Sequence, residues 1–214
     1  MRAKRRVFNS HSVKGGFVDK NPRKLPKQAR SKALVEAVLD ASARVLAKDG
    51  RDALTTNVIA QAAGVSVGSL YQYFPNREAI LSALVHRHGH RIHALVTEAM
   101  HPQPAALEEA VSRLVAAVFA AHRLDPALHD ALDHDFAGED LGHHHITTKQ
   151  AVVAQIEALG ENVRREIGAG RSPQVASEIM HGLAHAALVH PHEGDDPALI
   201  EQEAIRATLA YLRS

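Results

Sequence analysis

The sequence contains no cysteine and no tryptophan among its 214 residues, and only 4% of its residues are aromatic. The lack of cysteine excludes disulfide bonds, thiolate zinc sites and cysteine nucleophiles. No uninterrupted apolar run reaches the ~18 residues that a membrane-spanning helix requires. Residues 1–17 are basic and polar and lack the apolar core of a signal sequence. We therefore expect a cytoplasmic protein with no membrane partner.

The residues that are abundant favour an all-α fold. Alanine, leucine and valine dominate the chain, no segment has the alternation typical of a strand, and Gly and Pro divide the sequence into periodic segments. About nine helices are predicted. They span approximately 31–50, 55–63, 66–74, 77–100, 105–123, 126–136, 145–168, 173–190 and 197–213.

Charge is distributed unevenly along the chain. Residues 1–77 carry 15 of the 25 Lys and Arg but only 5 of the 24 Asp and Glu, so the remainder is acidic. A basic N-terminal part indicates a polyanion partner at that end. Residues 1–29 have few apolar residues and predict a basic flexible arm, although a merely solvated tail fits the same composition. We expect a DNA-binding domain at 30–77 and a helical regulatory domain at 78–214.

Residues 55–77, TTNVIAQAAGVSVGSLYQYFPNR, have the pattern of a helix-turn-helix. Gly64 supplies the turn, because glycine adopts a positive φ at little cost, and Ser66 can cap the second helix. Leu70 and Phe74 are four residues apart, so they share a helix face and are expected to pack inward. The second helix of such a motif enters the major groove of DNA.

The polar positions of the second helix suit contacts with a duplex. Val67 can touch a thymine methyl group, and Ser69 and Gln72 can reach base edges. Tyr71 and Tyr73 carry hydroxyls suited to phosphate oxygens, which position a helix without specifying sequence. These residues predict a surface that combines base contacts with backbone contacts.

Residues 55–81, extended back through 28–50, resemble the tetracycline-repressor (TetR) family of bacterial transcriptional regulators over about 54 residues. The resemblance implies three DNA-binding helices, then a long fourth helix leading to a ligand-binding and dimerisation domain. Gly68 has no side chain where the family often reads a base, which leaves Val67, Ser69 and Gln72 as the expected readers. The resemblance places the DNA contacts on Thr56, Asn57, Val67, Gly68, Ser69, Tyr71, Gln72, Tyr73 and Arg77.

The same resemblance implies a homodimer that binds a palindromic operator and is released by a small-molecule effector. The helices at 173–190 and 197–213 would form the dimer interface, although their apolar patterns also fit packing within one chain. No cofactor is expected. The candidates for lining an effector pocket are Phe119, His122, Phe136 and Met180, which are also ordinary core residue types.

The chain contains 16 histidines. The segment 129–145 includes a triplet at 143–145 and the carboxylate of Asp135, while His181 and His185 are four residues apart, a spacing that can chelate a metal. Nothing in the pattern indicates a third ligand positioned to bind the same ion, so no metal site is expected. A metal-responsive regulator using 129–145 is the alternative. A His/Asp metal-dependent enzyme is less favoured, because no HExxH motif or nucleophile elbow is present, and no enzyme is expected.

Overall fold

The computed structural model describes residue 22 and residues 28–135 and 148–214, and within these ranges every regular element is a helix. The predicted all-α class is therefore confirmed. None of the described helices is both long enough and apolar enough to cross a membrane. The ten helices are α1 (Ala29–Ala53), α2 (Thr56–Ala63), α3 (Val67–Tyr71), α4 (Arg77–Ala99), α5 (Leu107–Leu124), α6 (Pro126–Asp135), α7 (Thr148–Glu157), α8 (Glu161–Arg164), α9 (Pro173–Leu188) and α10 (Pro197–Arg213).

The third helix is shorter than predicted. It ends at Tyr71 instead of continuing to Phe74, so Gln72 and Tyr73 lie in the turn that follows. Two successive backbone N–H groups, those of Tyr73 and Phe74, both donate to the Leu70 carbonyl at 3.0 Å, which tightens the chain. The residue before a proline is disfavoured in the helical region, and Pro75 follows Phe74 directly.

The predicted helix over 145–168 is also wrong in one respect, because it is two helices. α7 ends at Glu157, and Gly160 stands as the N-cap of the short α8 with a non-helical ψ of 154°. Glycine is a weak helix former and is tolerated at an N-cap, so it allows the break. This division accounts for ten described helices where nine were predicted. The part of the predicted segment before Thr148 lies outside the described residues.

Buried apolar side chains form two separate cores. The N-terminal core is built from α1 to α3 and the first half of α4, and its largest members include Leu46, Leu54, Ile59, Leu70, Phe74 and Ile80. The C-terminal core is built from the second half of α4 with α5 and α7 to α10, and includes Val96, Leu107, Leu114, Phe119, Met180 and Leu212. One residue of α6, Leu128, belongs to the N-terminal core although it follows α5 in the chain.

The fourth helix connects the two cores. Its residues 79–85 contribute to the N-terminal core, whereas Ile92 and Val96 contribute to the C-terminal core. Between them, Arg87 Nη1 lies 2.9 Å from Glu36 and 2.7 Å from Asp40 of α1. The Arg87 side chain is only 14% exposed, whereas the two carboxylates are more than half exposed, so this double ion pair joins α4 to α1 but is partly screened by solvent.

We predict that Leu128→Ala lowers the free energy of unfolding by about 2–5 kcal/mol, because it leaves a cavity in the N-terminal core. Leu128 is 4% exposed, whereas Leu124 at the end of α5 is 54% exposed. Leu124→Ala is therefore the matched control and should change stability by less than about 0.5 kcal/mol. Urea unfolding of both variants measures the difference, and equal losses would show that α6 does not anchor in this core.

Candidate DNA-binding surface and buried histidine cluster

The helix-turn-helix is held by local hydrogen bonds that its sequence encodes. Thr55, Ser66 and Asn76 each accept a bond through the side chain from the backbone N–H three residues later, at 3.2, 3.1 and 2.8 Å. Each is the N-cap of its helix. Gly64 adopts φ +68° at the end of α2, as the turn requires. The starts of α2, α3 and α4 are thus fixed independently of packing.

The inner face of α3 is anchored as the sequence predicts. Leu70 and Phe74 are 0% and 1% exposed and lie in the N-terminal core. From the side of α1, Arg44 Nη2 donates to the Ala62 carbonyl near the C-terminal end of α2 at 3.4 Å. A cation at a helix C-terminus is favourable because the carbonyls there carry partial negative charge. These contacts hold α3 against the N-terminal core and α2 against α1.

The outer face joins the two helices through a pair of hydroxyls. Tyr71 is 40% exposed, and its hydroxyl lies 3.2 Å from Thr56 Oγ1 at the start of α2. Asn57, Gly68 and Gln72 are also exposed. The structure therefore brings Thr56 and Tyr71 together from opposite ends of the motif and leaves the neighbouring polar groups open to solvent.

The other predicted contact residues are more enclosed. Val67 and Tyr73 are half-buried and pack against the N-terminal core. Ser69 Oγ lies 2.8 Å from the hydroxyl of the capping Ser66. Arg77 Nε lies 3.4 Å from the Glu78 carboxylate, with about a third of each side chain exposed. Of the predicted basic arm, only residues 22, 28 and 29 are described.

Three helices, α5, α6 and α9, bring histidines together inside the protein. His122 of α5 is 0% exposed, His129 of α6 is 3% exposed and His181 of α9 is 8% exposed. The ring centroid of His122 lies 4.1 Å from that of His129 and 4.9 Å from that of His181. One nitrogen from each of the three rings lies within 4.8 Å of the other two. We call these three residues the histidine cluster.

Further histidines surround the cluster. His88 of α4 is 7% exposed, and its Nε2 lies 3.3 Å from His129 Nδ1. His185, one turn after His181, has its ring centroid 6.3 Å from that of His122. Among the described residues, four of the eight buried polar or charged side chains are histidines of this region, so buried polarity is concentrated at the junction of α4, α5, α6 and α9.

Hydrogen bonding and burial define the state of these rings. His122 Nδ1 lies 2.8 Å from the Val118 carbonyl, which can only accept, so Nδ1 is the donor of this hydrogen bond. Burial, and then the nearby His122, Lys149 and His129, lowers the pKa of His181 from 6.5 to about 3. His181 is therefore neutral at physiological pH, with a lone pair on one ring nitrogen.

The predicted pocket residues do not surround a described cavity. Phe119 and Met180 are fully buried in the C-terminal core, and the Arg123 guanidinium lies over the Phe119 ring at 5.5 Å. Phe136 lies outside the described residues. Three cavities, of about 220 to 290 Å³, are lined by other residues. Of the predicted four, His122 is the one that the structure places in a cluster of polar groups.

Sequence reasoning did not assemble the histidine cluster. It paired His181 with His185, whereas the partners of His181 come from α5 and α6. A local signal was available, because His122 follows Val118 by four residues on the buried face of α5. A histidine on the apolar face of an amphipathic helix indicates a buried ring. Its convergence with rings on other helices depends on tertiary packing.

Solved structures share this architecture. The fatty acid degradation regulator FadR from Bacillus halodurans aligns with a TM-score of 0.64 and 19% identity over 84% of this chain and 96% of its own. A TetR family transcription regulator from Marinobacter aquaeolei aligns at 0.66 and 19% over 86% and 97%. A protein of unknown function from a Rhodococcus species aligns at 0.67 and 19% over 85% and 96%. At such identities the likeness establishes the fold.

Curated sequence relatives match a shorter stretch of the chain. Two uncharacterized HTH-type transcriptional regulators from two strains of Mycobacterium tuberculosis are 38% identical to this chain over 63 residues. The match spans 29% of this chain and 31% of each relative, so less than a third of their length is covered.

Family models account for both halves of the chain. Residues 38–84 match the model of bacterial regulatory proteins of the tetR family. Residues 106–212 match the model of the tetracyclin repressor-like C-terminal domain, which by itself covers half of the sequence. The chain belongs to the TetR family of DNA-binding transcriptional regulators.

Proposed function

We propose that this regulator is a homodimeric repressor that binds a palindromic operator through α2 and α3 and is released when a small-molecule effector binds among the C-terminal helices. The observation that carries the proposal is the outer face of the helix-turn-helix. There, the hydroxyls of Thr56 and Tyr71 and the amide of Gln72 lie on a scaffold that three N-caps hold rigid. A repressor needs such a preorganised surface because the operator must be read without refolding the protein.

The residues of this surface divide into two roles. Tyr71, Tyr73 and Arg77 would hold phosphates, since hydroxyl and guanidinium groups suit phosphate oxygens. Arg77 also opens α4, whose N-terminal amides favour an anion. Thr56 and Asn57 would brace α2 across the backbone. The base readers would be Val67, Ser69 and Gln72, with Gly68 allowing close approach.

An exposed apolar stripe supports the homodimer. On α9, Val175 is 43% exposed and Leu183 is half-buried against the C-terminal core, and on α10 Leu199 is 53% exposed. Gly182 of α9 is exposed, and a Cβ placed there would meet no atom of another described element within 4 Å. We define Val175, Gly182, Leu183 and Leu199 as the stripe, whose small and apolar residues suit a helix-pair interface. Two recognition helices ~34 Å apart would then match two half-sites of an operator.

The packing of α4 and α6 supports release by an effector. Each helix contacts the N-terminal core and also the region of the histidine cluster, through Leu128 and His129 on α6 and through residues 79–85 and His88 on α4. An effector that binds one arrangement of these helices more tightly than another shifts the population of DNA-binding geometries. An effector with equal affinity for both would shift nothing.

The division of roles predicts two classes of DNA-binding defect. Arg77→Ala should weaken binding to all duplexes alike and lower the slope of log affinity against log salt by about 1, because one phosphate contact is lost. Tyr73→Phe should also weaken binding to all duplexes alike. Ser69→Ala and Gln72→Ala should instead reduce discrimination at particular base pairs by about 1–3 kcal/mol for each lost contact. Binding titrations against a duplex selected from a randomised pool, and a scrambled version, measure both effects.

Ser66→Ala is the structural control for these variants. It removes the cap of α3, which the Ser66 hydroxyl provides, whereas Ser69→Ala leaves that cap in place. The control should lower the free energy of unfolding by about 0.5–2 kcal/mol and weaken binding to all duplexes. Equal effects of the phosphate and base variants on matched and scrambled DNA would contradict the division.

The dimer proposal predicts the effect of a charge within the stripe. Gly182→Arg should convert the dimer to a monomer and abolish cooperative operator binding, because a guanidinium would be buried against its symmetry mate. The helix of the monomer should not suffer, since glycine is about 1 kcal/mol less favourable in a helix than most residues. Analytical ultracentrifugation measures the change of mass.

Ala94→Arg is the matched control, since Ala94 is exposed on α4 away from the stripe. It should leave the mass unchanged. A Gly182→Arg protein that remains dimeric would show that the subunits meet elsewhere.

A further inference from the structure

We infer that His122, His129 and His181 form a binding site for a divalent transition metal ion of the zinc type, and that its occupancy changes the affinity of the protein for DNA. The claim of a metal site is argued from the geometry of the cluster. The claim of an effect on DNA affinity rests on the proposed function and specifies its effector. The site differs from the sequence-based alternative over 129–145, because two of its three residues lie outside that segment.

The cluster has the number and type of ligands that such an ion requires. Three imidazoles with no thiolate suit zinc, nickel, cobalt or copper ions, whereas magnesium and calcium prefer oxygen ligands. Side chains from facing helices are the usual source of metal ligands in a helical bundle, and here α5, α6 and α9 each supply one. Three protein ligands leave a fourth position for water in a tetrahedral site.

Distances between the nitrogens fit a site that closes around its ion. Zinc–nitrogen bonds of about 2.0–2.1 Å place two ligand atoms of a tetrahedron roughly 3.3 Å apart. The three nitrogens of the cluster lie within 4.8 Å of one another. Binding therefore requires the rings to approach by roughly 1.5 Å at most, which is within the range of side-chain rotation and small helix shifts.

Hydrogen bonds behind the rings orient two of the three ligands. A metal-binding histidine typically donates its other ring N–H to a carbonyl, a carboxylate or another acceptor. His122 donates Nδ1–H to the Val118 carbonyl at 2.8 Å, so Nε2 is the atom that would hold the ion. His129 presents Nδ1 to His88 Nε2 at 3.3 Å. His88 is thus a positioning residue for His129.

A surface cavity lies beside the cluster. It has a volume of about 220 Å³ and is lined by His88, by the carboxylates of Asp40 and Asp125 and by the guanidinium groups of Arg44, Arg87 and Arg91. His88 Nε2 lies 3.3 Å from His129 Nδ1, so the cavity reaches the neighbour of one ligand.

The position of the cluster explains how binding of an ion would affect the DNA-binding helices. His129 follows Leu128 directly on α6, and Leu128 is buried in the N-terminal core. A shift of α6 that brings His129 toward His181 therefore also moves Leu128 against α1 and the first half of α4. The ion would select the geometry in which this movement has occurred.

Zinc binding to the full chain without an affinity tag, by competition with a chromophoric chelator, tests the site. We expect one zinc ion per chain. His122→Gln, His129→Gln and His181→Gln should each weaken binding by more than about 100-fold, since even loss of an orienting partner costs about 10- to 100-fold. Wild-type protein that binds no zinc, or variants that bind as tightly as wild type, would overturn the site.

The control uses a second histidine pair on the same chain. His86 and His90 on α4 are exposed and four residues apart, with their Nε2 atoms 3.2 Å apart. The double variant His86→Gln, His90→Gln should change zinc affinity by less than about two-fold, because an HxxxH pair without a third ligand is a weak site. Loss of the zinc in this variant would place the ion on the surface and overturn the proposal.

X-ray absorption of the wild-type zinc complex gives a readout that does not depend on the folding of any variant. Three imidazole nitrogens at about 2.0–2.1 Å are expected. Fewer than three would overturn the assignment.

The claim that metal occupancy changes the affinity for DNA is tested with the selected duplex. Zinc should change the affinity of wild-type protein by about 5- to 150-fold, the usual range of coupling between sites, and should leave His181→Gln unaffected. Zinc that binds the cluster without changing the DNA affinity overturns this claim. A protein that binds zinc but no duplex contradicts the proposed function instead, so the two failures are distinguishable.

Discussion

The contact on which the rest of the structure depends is the sharing of α4 between two cores. The start of α4 is buried with α1 to α3, its second half is buried with α5 and α7 to α10, and Arg87 joins it to α1 through Glu36 and Asp40. α6 instead links the N-terminal core to the histidine cluster, through Leu128 and the adjacent His129. Because close-packed interiors do not deform continuously, a displacement in one core is passed to the other as a discrete change.

This junction is also where the chain buries its histidines. His88, His122, His129 and His181 come from four different helices and are all less than 9% exposed. Burial of polar rings carries a desolvation cost that apolar side chains would avoid, even where hydrogen bonds offset part of it. The buried residues of both hydrophobic cores are alanine, leucine, isoleucine, valine, methionine and phenylalanine. The polar junction is thus a departure from the packing rule that the rest of the protein follows, and such departures concentrate at functional sites.

The features that the sequence predicts well are local. The cap at Ser66 and the turn at Gly64 depend on one to four neighbouring residues, so the helix-turn-helix and its inward Leu70 and Phe74 follow from the sequence alone.

The errors arise where tertiary context competes with periodicity. The break at Gly160 interrupts a segment whose apolar spacing continues across it. α3 ends at Tyr71, in a turn where the Tyr73 and Phe74 amides share the Leu70 carbonyl ahead of Pro75. The cluster of His122, His129 and His181 is the least predictable feature, since no spacing along the chain relates three helices that meet only after folding. His185, which lies at the chelating interval of four residues from His181, is not one of the three.

The energy scale of a metal at the cluster matches the switch it would operate. Coupling between sites is typically about 1–3 kcal/mol, and a nearly complete reversal of a two-state population needs about 5.5 kcal/mol. Burial of one leucine in a core is worth about 2–5 kcal/mol by its removal to alanine, so partial displacement of Leu128 lies within the range of useful coupling. An ion that closes His129 toward His181 therefore does not have to unfold the N-terminal core. It has only to change how one leucine of α6 fits between α1 and α4, and the spacing of two recognition helices in a dimer would magnify that change.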